Sequence, residues 1–170
     1  DTVQGILDLV PSAGMTLGSP QDTGDSSTAH TFTGIPSGTK LILINYRAFV
    51  KNAGGADLAI QIGDSGGLET SGYLATQGYV YSSGTDMQSA TSYFLADLSF
   101  GTAAIGSGIG MLSLINSSTN HWAYSQTAKR DAVTTVHGGG DKALSGELTQ
   151  LKFYTTAGSW TAGEVNISYM

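Results

Sequence analysis

Cysteine is absent from this 170-residue chain. That excludes disulfide staples, thiolate zinc sites and thiol nucleophiles together. Charge is scarce: Asp, Glu, Lys and Arg make up 12% of residues, about half the usual share. Basic residues are the rarer sign, seven against thirteen acidic ones, for a net charge of −6. Lys129-Arg130 is the densest basic pair. This balance argues against a nucleic-acid footprint, which rests on neutralised phosphates. The acidic excess reads as solubility. No apolar run approaches the 18 residues of a membrane-spanning helix, so no membrane insertion is expected. The chain opens on Asp1 without a signal-peptide pattern, and is expected to be a processed product or a piece of a longer protein. Three glutamates, Glu69, Glu147 and Glu164, leave little from which to build the paired carboxylates of a glycosidase.

What is present is small and polar. Gly, Ser and Thr number 24, 20 and 20. Such a composition disfavours helical bundles and coiled coils. Disorder is disfavoured too, because the 40% of hydrophobic residues fall in short regular runs. The length suits one domain that buries about two thirds of its unfolded surface.

Those runs alternate. Ile42, Ile44, Tyr46, Ala48 and Val50 share one parity, while Leu41, Leu43 and Phe49 share the other with Asn45 and Arg47. The spacing predicts a central strand over 40–51 with a partly covered second face. After the turn signal Asn52-Ala53-Gly54-Gly55, Leu58, Ile60 and Ile62 predict a partner strand in a hairpin. Further strands are expected over 72–81, 109–115, 120–127, 132–137, 148–155 and 165–169. Gly138-Gly139-Gly140-Asp141 reads as a turn between them, and Trp160 as a core plug at a hairpin. Residues 87–100 fit helical or strand spacing, and Thr91 to Phe94 favour the strand. The sum is an all-β protein: an antiparallel β-sandwich, jelly-roll-like, of about eight to ten strands with little or no helix.

Several motifs suggest chemistry. Gly63-Asp64-Ser65-Gly66-Gly67 matches the heart of the serine signature of trypsin-like proteases, with His30 and Asp57 in the right order. Asp57 and Ser65, however, flank one predicted strand, and eight strand residues span about 26 Å. A triad needs hydrogen-bond contact, so Ser65 is expected to be catalytically silent in a glycine-rich turn capped by Asp64, and no catalytic residue is assigned. His121 and His137 lack a chelating neighbour; Asp22, Asp25, Asp64 and Glu69 form no calcium-loop pattern. No metal and no cofactor are therefore expected. Gly138 to Gly140 lacks the Lys-Ser/Thr of a phosphate loop. Aromatic residues remain. Tyr73, Tyr79, Tyr81, Trp122 and Tyr124 are the candidate ligand-binding residues, because such rings stack on sugars and carry polar tips. Tyr79 and Tyr81 share a face of their strand, as do Trp122 and Tyr124.

An ordered series of blocks carries a resemblance. Phe32-Thr33-Gly34-Ile35-Pro36-Ser37-Gly38, the strand Lys40 to Phe49, Leu58 to Tyr73, Gly138 to Gly146, Leu148 to Tyr154 and Ala162 to Tyr169 resemble a domain that recurs in the tail fibres and related appendages of marine and environmental tailed phages. The resemblance runs from about Phe32 to Tyr169. It implies a β-sandwich displayed on an extracellular virion, commonly homotrimeric, contacting other virion proteins and a host-surface glycan. It transfers no catalytic residue. Residues 1–30 lie outside it and are expected to be an attachment segment or a remnant of a longer chain, with the sandwich over 31–170. The competing expectations are a capsid decoration protein, a secreted carbohydrate-binding module and a glycan hydrolase on the same fold.

Overall fold

Alternation becomes two antiparallel sheets in the computed structural model, which describes residues 14–52, 54–100 and 105–170. The larger sheet runs β1 (Thr16–Leu17), β14 (Trp160–Tyr169), β4 (Leu41–Lys51), β10 (Gly106–Asn116), β11 (His121–Lys129), β12 (Thr135–Ala143), β7 (Leu74–Tyr81) and β8 (Gly84–Ala90). A further short strand, β2 (Gln21–Asp22), also pairs with β14. The smaller sheet runs β3 (Ala29–Thr33), β13 (Gln150–Thr155), β5 (Ala56–Asp64) and β6 (Gly67–Leu68), with β9 (Phe94–Phe100) beside β5. No helix occurs among the described residues.

The strand order is that of a jelly roll. Take β1 and β2 as one interrupted strand, and set aside β6 and the hairpins β7–β8 and β11–β12. Eight strands remain, ordered first-eighth-third-sixth in one sheet and second-seventh-fourth-fifth in the other. The two hairpins widen the larger sheet, and three strands are only two residues long. Together these raise the expected eight to ten strands to fourteen among the described residues.

The core lies between the sheets. Ile42, Ile44 and Leu112 face Ile60, Ile62, Leu151 and Phe153, all fully buried. Tyr46, Phe49, Phe153 and Trp160 form a ring cluster with centroids 5.1 to 5.9 Å apart. Trp160 is thus the core plug its sequence context suggests, but not at a hairpin: β13 and β14 lie in different sheets. Aromatic pairs at such spacings add about 0.5–1.5 kcal/mol each beyond their buried area.

Four sequence expectations change. First, β4 and β5 are not a hairpin: β4 pairs with β10 and β14, β5 with β13 and β9. The Asn52–Gly55 connection crosses from sheet to sheet, because each strand buries its own apolar face on opposite sides of the core. Second, the β4 alternation breaks. Ala48 sits at φ 52° and the register with β10 slips between Tyr46 and Phe49. This bulge turns Phe49 inward and leaves Val50 half-buried. Third, Gly138-Gly139-Gly140-Asp141 is not a turn but the middle of β12. A Cβ on Gly140 would lie 2.3 Å from the Leu74 carbonyl oxygen, so close strand approach explains that glycine. Fourth, the boundary at residue 31 falls inside the sandwich: β1, β2 and β3 already pair with β14 and β13. The attachment-segment expectation for residues 1–13 lies outside the described residues.

Candidate binding site

The β7–β8 hairpin carries the surviving candidates. Its turn is Ser82-Ser83, which places Tyr81 opposite Gly84 and Tyr79 opposite Asp86. Gly84 leaves room for the Tyr81 ring: a Cβ there would lie 3.2 Å from the Tyr81 hydroxyl. Tyr79 and Tyr81 therefore share the inward face of β7 as the alternation predicts. Both are half-buried, with ring centroids 5.6 Å apart and planes inclined by 31°.

Two polar side chains hold Tyr79. The Tyr79 hydroxyl donates to Asp86 Oδ2 at 3.0 Å, and Asp86 Oδ1 accepts from the Met87 amide at 2.8 Å. The carboxylate hydrogen bond pushes the Tyr79 hydroxyl above its ordinary pKa. The Arg130 guanidinium carbon lies 4.6 Å from the Tyr79 ring centre, a cation–π distance. Arg130 is fixed in turn by Asp97, with Nε at 3.1 Å and a terminal nitrogen at 2.7 Å from Oδ1. Asp97 is buried on β9, so this charge pair is shielded from water. Sequence reasoning missed Asp86, Arg130 and Asp97. The chain carries no local signal for them, since Arg130 and Asp97 are 33 positions apart.

The structure removes the other three aromatics from the candidate set. Tyr73, Trp122 and Tyr124 are buried at 0%, 2% and 4% exposure. Trp122 and Tyr124 do share a face, but it is the core face. Phe94 stacks on Tyr124 at 4.7 Å and meets Tyr73 edge-on at 4.9 Å. Tyr73 also donates to the Glu69 carbonyl at 2.9 Å and accepts from the Ile62 amide at 2.9 Å. These residues tie the sandwich together, and their ring faces are not open to a ligand.

The remaining motifs take structural roles. Asp57 lies near the start of β5 and Ser65 in the turn just past its end, and the Asp57 carboxylate accepts from the Tyr93 hydroxyl at 2.9 Å. His30 stacks on Trp160 at 5.2 Å and bonds Ser27 Oγ at 3.1 Å. The triad-like residues are thus not assembled. Asp64 Oδ1 accepts from the Gly66 amide at 2.7 Å, the expected capped turn. Its Oδ2 accepts from Ser145 Oγ at 2.8 Å, and Glu69 accepts from the same hydroxyl and from Lys142. The Gly63–Glu69 and Gly138–Gly146 blocks, far apart in sequence, are therefore bound to each other. Glu147 receives the Ser37 hydroxyl at 2.9 Å, and Glu164 pairs with Arg47 at 2.8 Å. His121 pairs with Asp141 at 2.8 Å, and His137 bonds Thr127 at 3.3 Å. No group of three metal-ligating side chains occurs among the described residues.

One cleft of about 380 Å³ opens beside the Arg47–Glu164 pair, lined also by Leu17, Pro20, Asn45 and Asn166. Its Asn166 side chain is engaged: it donates to the Gly18 carbonyl at 3.0 Å and accepts from the Ile167 amide at 2.8 Å. No protein-family model matches the chain, and no curated protein is similar to it in sequence.

Proposed function

We propose that the chain is a domain of a phage virion appendage, assembled as a homotrimer, that recognises a host-surface glycan through Tyr79 and Tyr81. The observation that carries this reading is the tyrosine pair held at the edge of the larger sheet. Two adjacent rings offer apolar faces to the C–H side of a sugar, while Asp86 and Arg130 offer hydroxyl-binding groups. A binding role is supported over a hydrolytic one because Glu69, Glu147 and Glu164 each hold a structural partner. Each stacked ring contributes on the order of 1 kcal/mol, so a single site is weak. Three sites on one trimer raise the avidity by about 10²–10⁴ where the geometry lets them engage together.

Tyr79→Ala with Tyr81→Ala tests the reading. Attachment to host cells is expected to fall while the assembly state stays unchanged; undiminished attachment returns the pair to a packing role. A capsid decoration protein is the second reading. It draws support from the outward apolar residues Ile109 and Met111, which suit a covered surface better than a displayed one. Purified protein that binds capsids lacking tails favours decoration.

A further inference from the structure

The hydrogen-bond roles around the tyrosine pair are one-sided. β8 is the outermost strand of the larger sheet. Asp86 and Gln88 share its inner face, opposite Tyr79 and Gln77, and both are exposed. Asp86 is the one charged residue between Leu74 and Ala90. Its two oxygens accept from the Tyr79 hydroxyl and the Met87 amide. An ionised carboxylate has about four acceptor positions, so about two stay open. The Tyr79 hydroxyl directs its proton to Asp86 and keeps only acceptor capacity. The groups beside the rings are therefore mainly acceptors. They match ligand groups that donate: hydroxyl, amide or ammonium.

Charge points the same way. Arg130 lies against the Tyr79 ring, but its guanidinium is paired with the buried Asp97 carboxylate. Next to it in sequence, Asp131 takes hydrogen bonds from the Val133 and Thr134 amides, which hold its carboxyl below the usual range. Three carboxylates, Asp86, Asp97 and Asp131, thus accompany one guanidinium. Lys51 and Asp57, which reach this group from the interior, are both buried and of opposite sign. Lys129 belongs to the other side of the sheet, because Gln126 and Ala128, which alternate with it on β11, are buried. The rings therefore sit in a negative field, on a chain that carries −6 as a whole. A carboxylate, sulfate or phosphate on the ligand would bring acceptors where donors are needed, and like charge where Asp86 stands.

We infer that the Tyr79–Tyr81 site takes a glycan free of acidic groups, neutral or amine-bearing, and that Asp86 is the residue that turns acidic sugars away. The inference rests on the glycan reading of this site and adds the chemical class of the ligand. Asp86 acts in two ways. Its open lone pairs accept from sugar hydroxyls lying over the rings, and such charge-assisted hydrogen bonds are about twice as strong as neutral ones. Its charge repels a uronate or a sialate. Because Asp86 is exposed, water and salt screen that repulsion. The discrimination is therefore about tenfold at low ionic strength, and it fades as the screening length falls to about 3 Å at about 1 M salt.

A printed panel of neutral, amine-bearing, uronic-acid, sialylated and sulfated glycans tests the assignment at low salt. The proteins compared are the parent, Asp86→Asn, and Tyr79→Ala with Tyr81→Ala. Asn keeps an acceptor oxygen and removes the charge. The parent is expected to bind glycans of the first two classes about tenfold tighter than acidic counterparts of the same backbone. Asp86→Asn should narrow that gap by admitting acidic glycans, and the double variant should bind neither class. Raising the salt with the parent protein narrows the gap too, and needs no substitution. An acidic glycan that the parent binds as tightly as its neutral counterpart overturns this inference alone. So does a gap that neither Asp86→Asn nor salt changes. A panel with no bound glycan, or binding that persists in the double variant, overturns the glycan reading of the tyrosines and this inference with it.

Discussion

Arg130 joins buried Asp97 to the half-buried Tyr79 ring. Its guanidinium meets buried Asp97 on one side and the Tyr79 ring on another. Removing one partner of a shielded charge pair costs more than the pair contributes, because the other charge stays out of water. Arg130→Ala is expected to lower the unfolding free energy by about 3 kcal/mol, measured in urea. Arg130→Lys keeps the charge but not the planar fork, and should recover only part of that loss. A change under 0.5 kcal/mol for Arg130→Ala would mean that the pair is not structurally important. Lys51 poses a second test. It is 4% exposed and donates to the Ala56 carbonyl. Burial pulls its pKa from 10.5 to about 8. Between those values the unfolded chain binds the proton and the folded chain does not, so stability rises with pH. The tyrosines act in the opposite sense. Burial pushes Tyr93 and Tyr154 up to about 12, so above pH 10 the unfolded chain loses protons first and stability falls. A melting temperature that climbs from pH 8 to a maximum near pH 10 is expected, and Lys51→Met should remove the climb. A flat profile across that window in the parent protein would contradict the assignment.

At the scale of strands, the glycines of β10 are the most demanding positions. Gly108→Val inserts a branched side chain where a Cβ already overlaps Tyr46 and Ala128, at 2.5 and 2.6 Å. Overpacking of this kind costs about 1–3 kcal/mol. The expected readout is a lower urea midpoint with perturbed tyrosine fluorescence; an unchanged midpoint would show that β4 and β10 separate freely. Most strands were legible because their inward residues are large and their spacing regular: Ile42 and Ile44, Ile60 and Ile62, Leu151 and Phe153. Pairing was not legible. Nothing local in Asn52–Gly55 distinguishes a hairpin turn from a crossing between sheets. β8 also escaped notice, because Gly84 to Ala90 carries little but small polar residues and takes its strand geometry from β7. The same limit applied to the site. Parity put Tyr79 with Tyr81 and Trp122 with Tyr124 on common faces, yet parity alone cannot say which pair lies over the core and which at its rim.

The whole molecule depends on its first described strands more than sequence blocks alone suggest. Residues before 31 supply β1 and β2, which cover the outer edge of β14, and the start of β3 on the edge of β13. They also supply interior contacts. Thr23 is fully buried and its amide donates to the Gly163 carbonyl at 3.0 Å. The Trp160 amide donates to the Ser27 carbonyl at 2.9 Å, and His30 stacks on the Trp160 ring. A chain cut to residues 31–170 would bare that tryptophan, which anchors the ring cluster, and expose the edge of β14 to pairing with other chains. Losing several ladder hydrogen bonds at about 1 kcal/mol each amounts to about 3–5 kcal/mol. For a domain of this size that lowers the melting temperature by about 10 °C. Circular dichroism melts of the full chain and of residues 31–170 make the comparison. A truncated protein that melts within about 2 °C of the parent, with the same spectrum, would restore residue 31 as the domain boundary. A large drop accompanied by concentration-dependent aggregation would establish the early strands as part of the jelly roll.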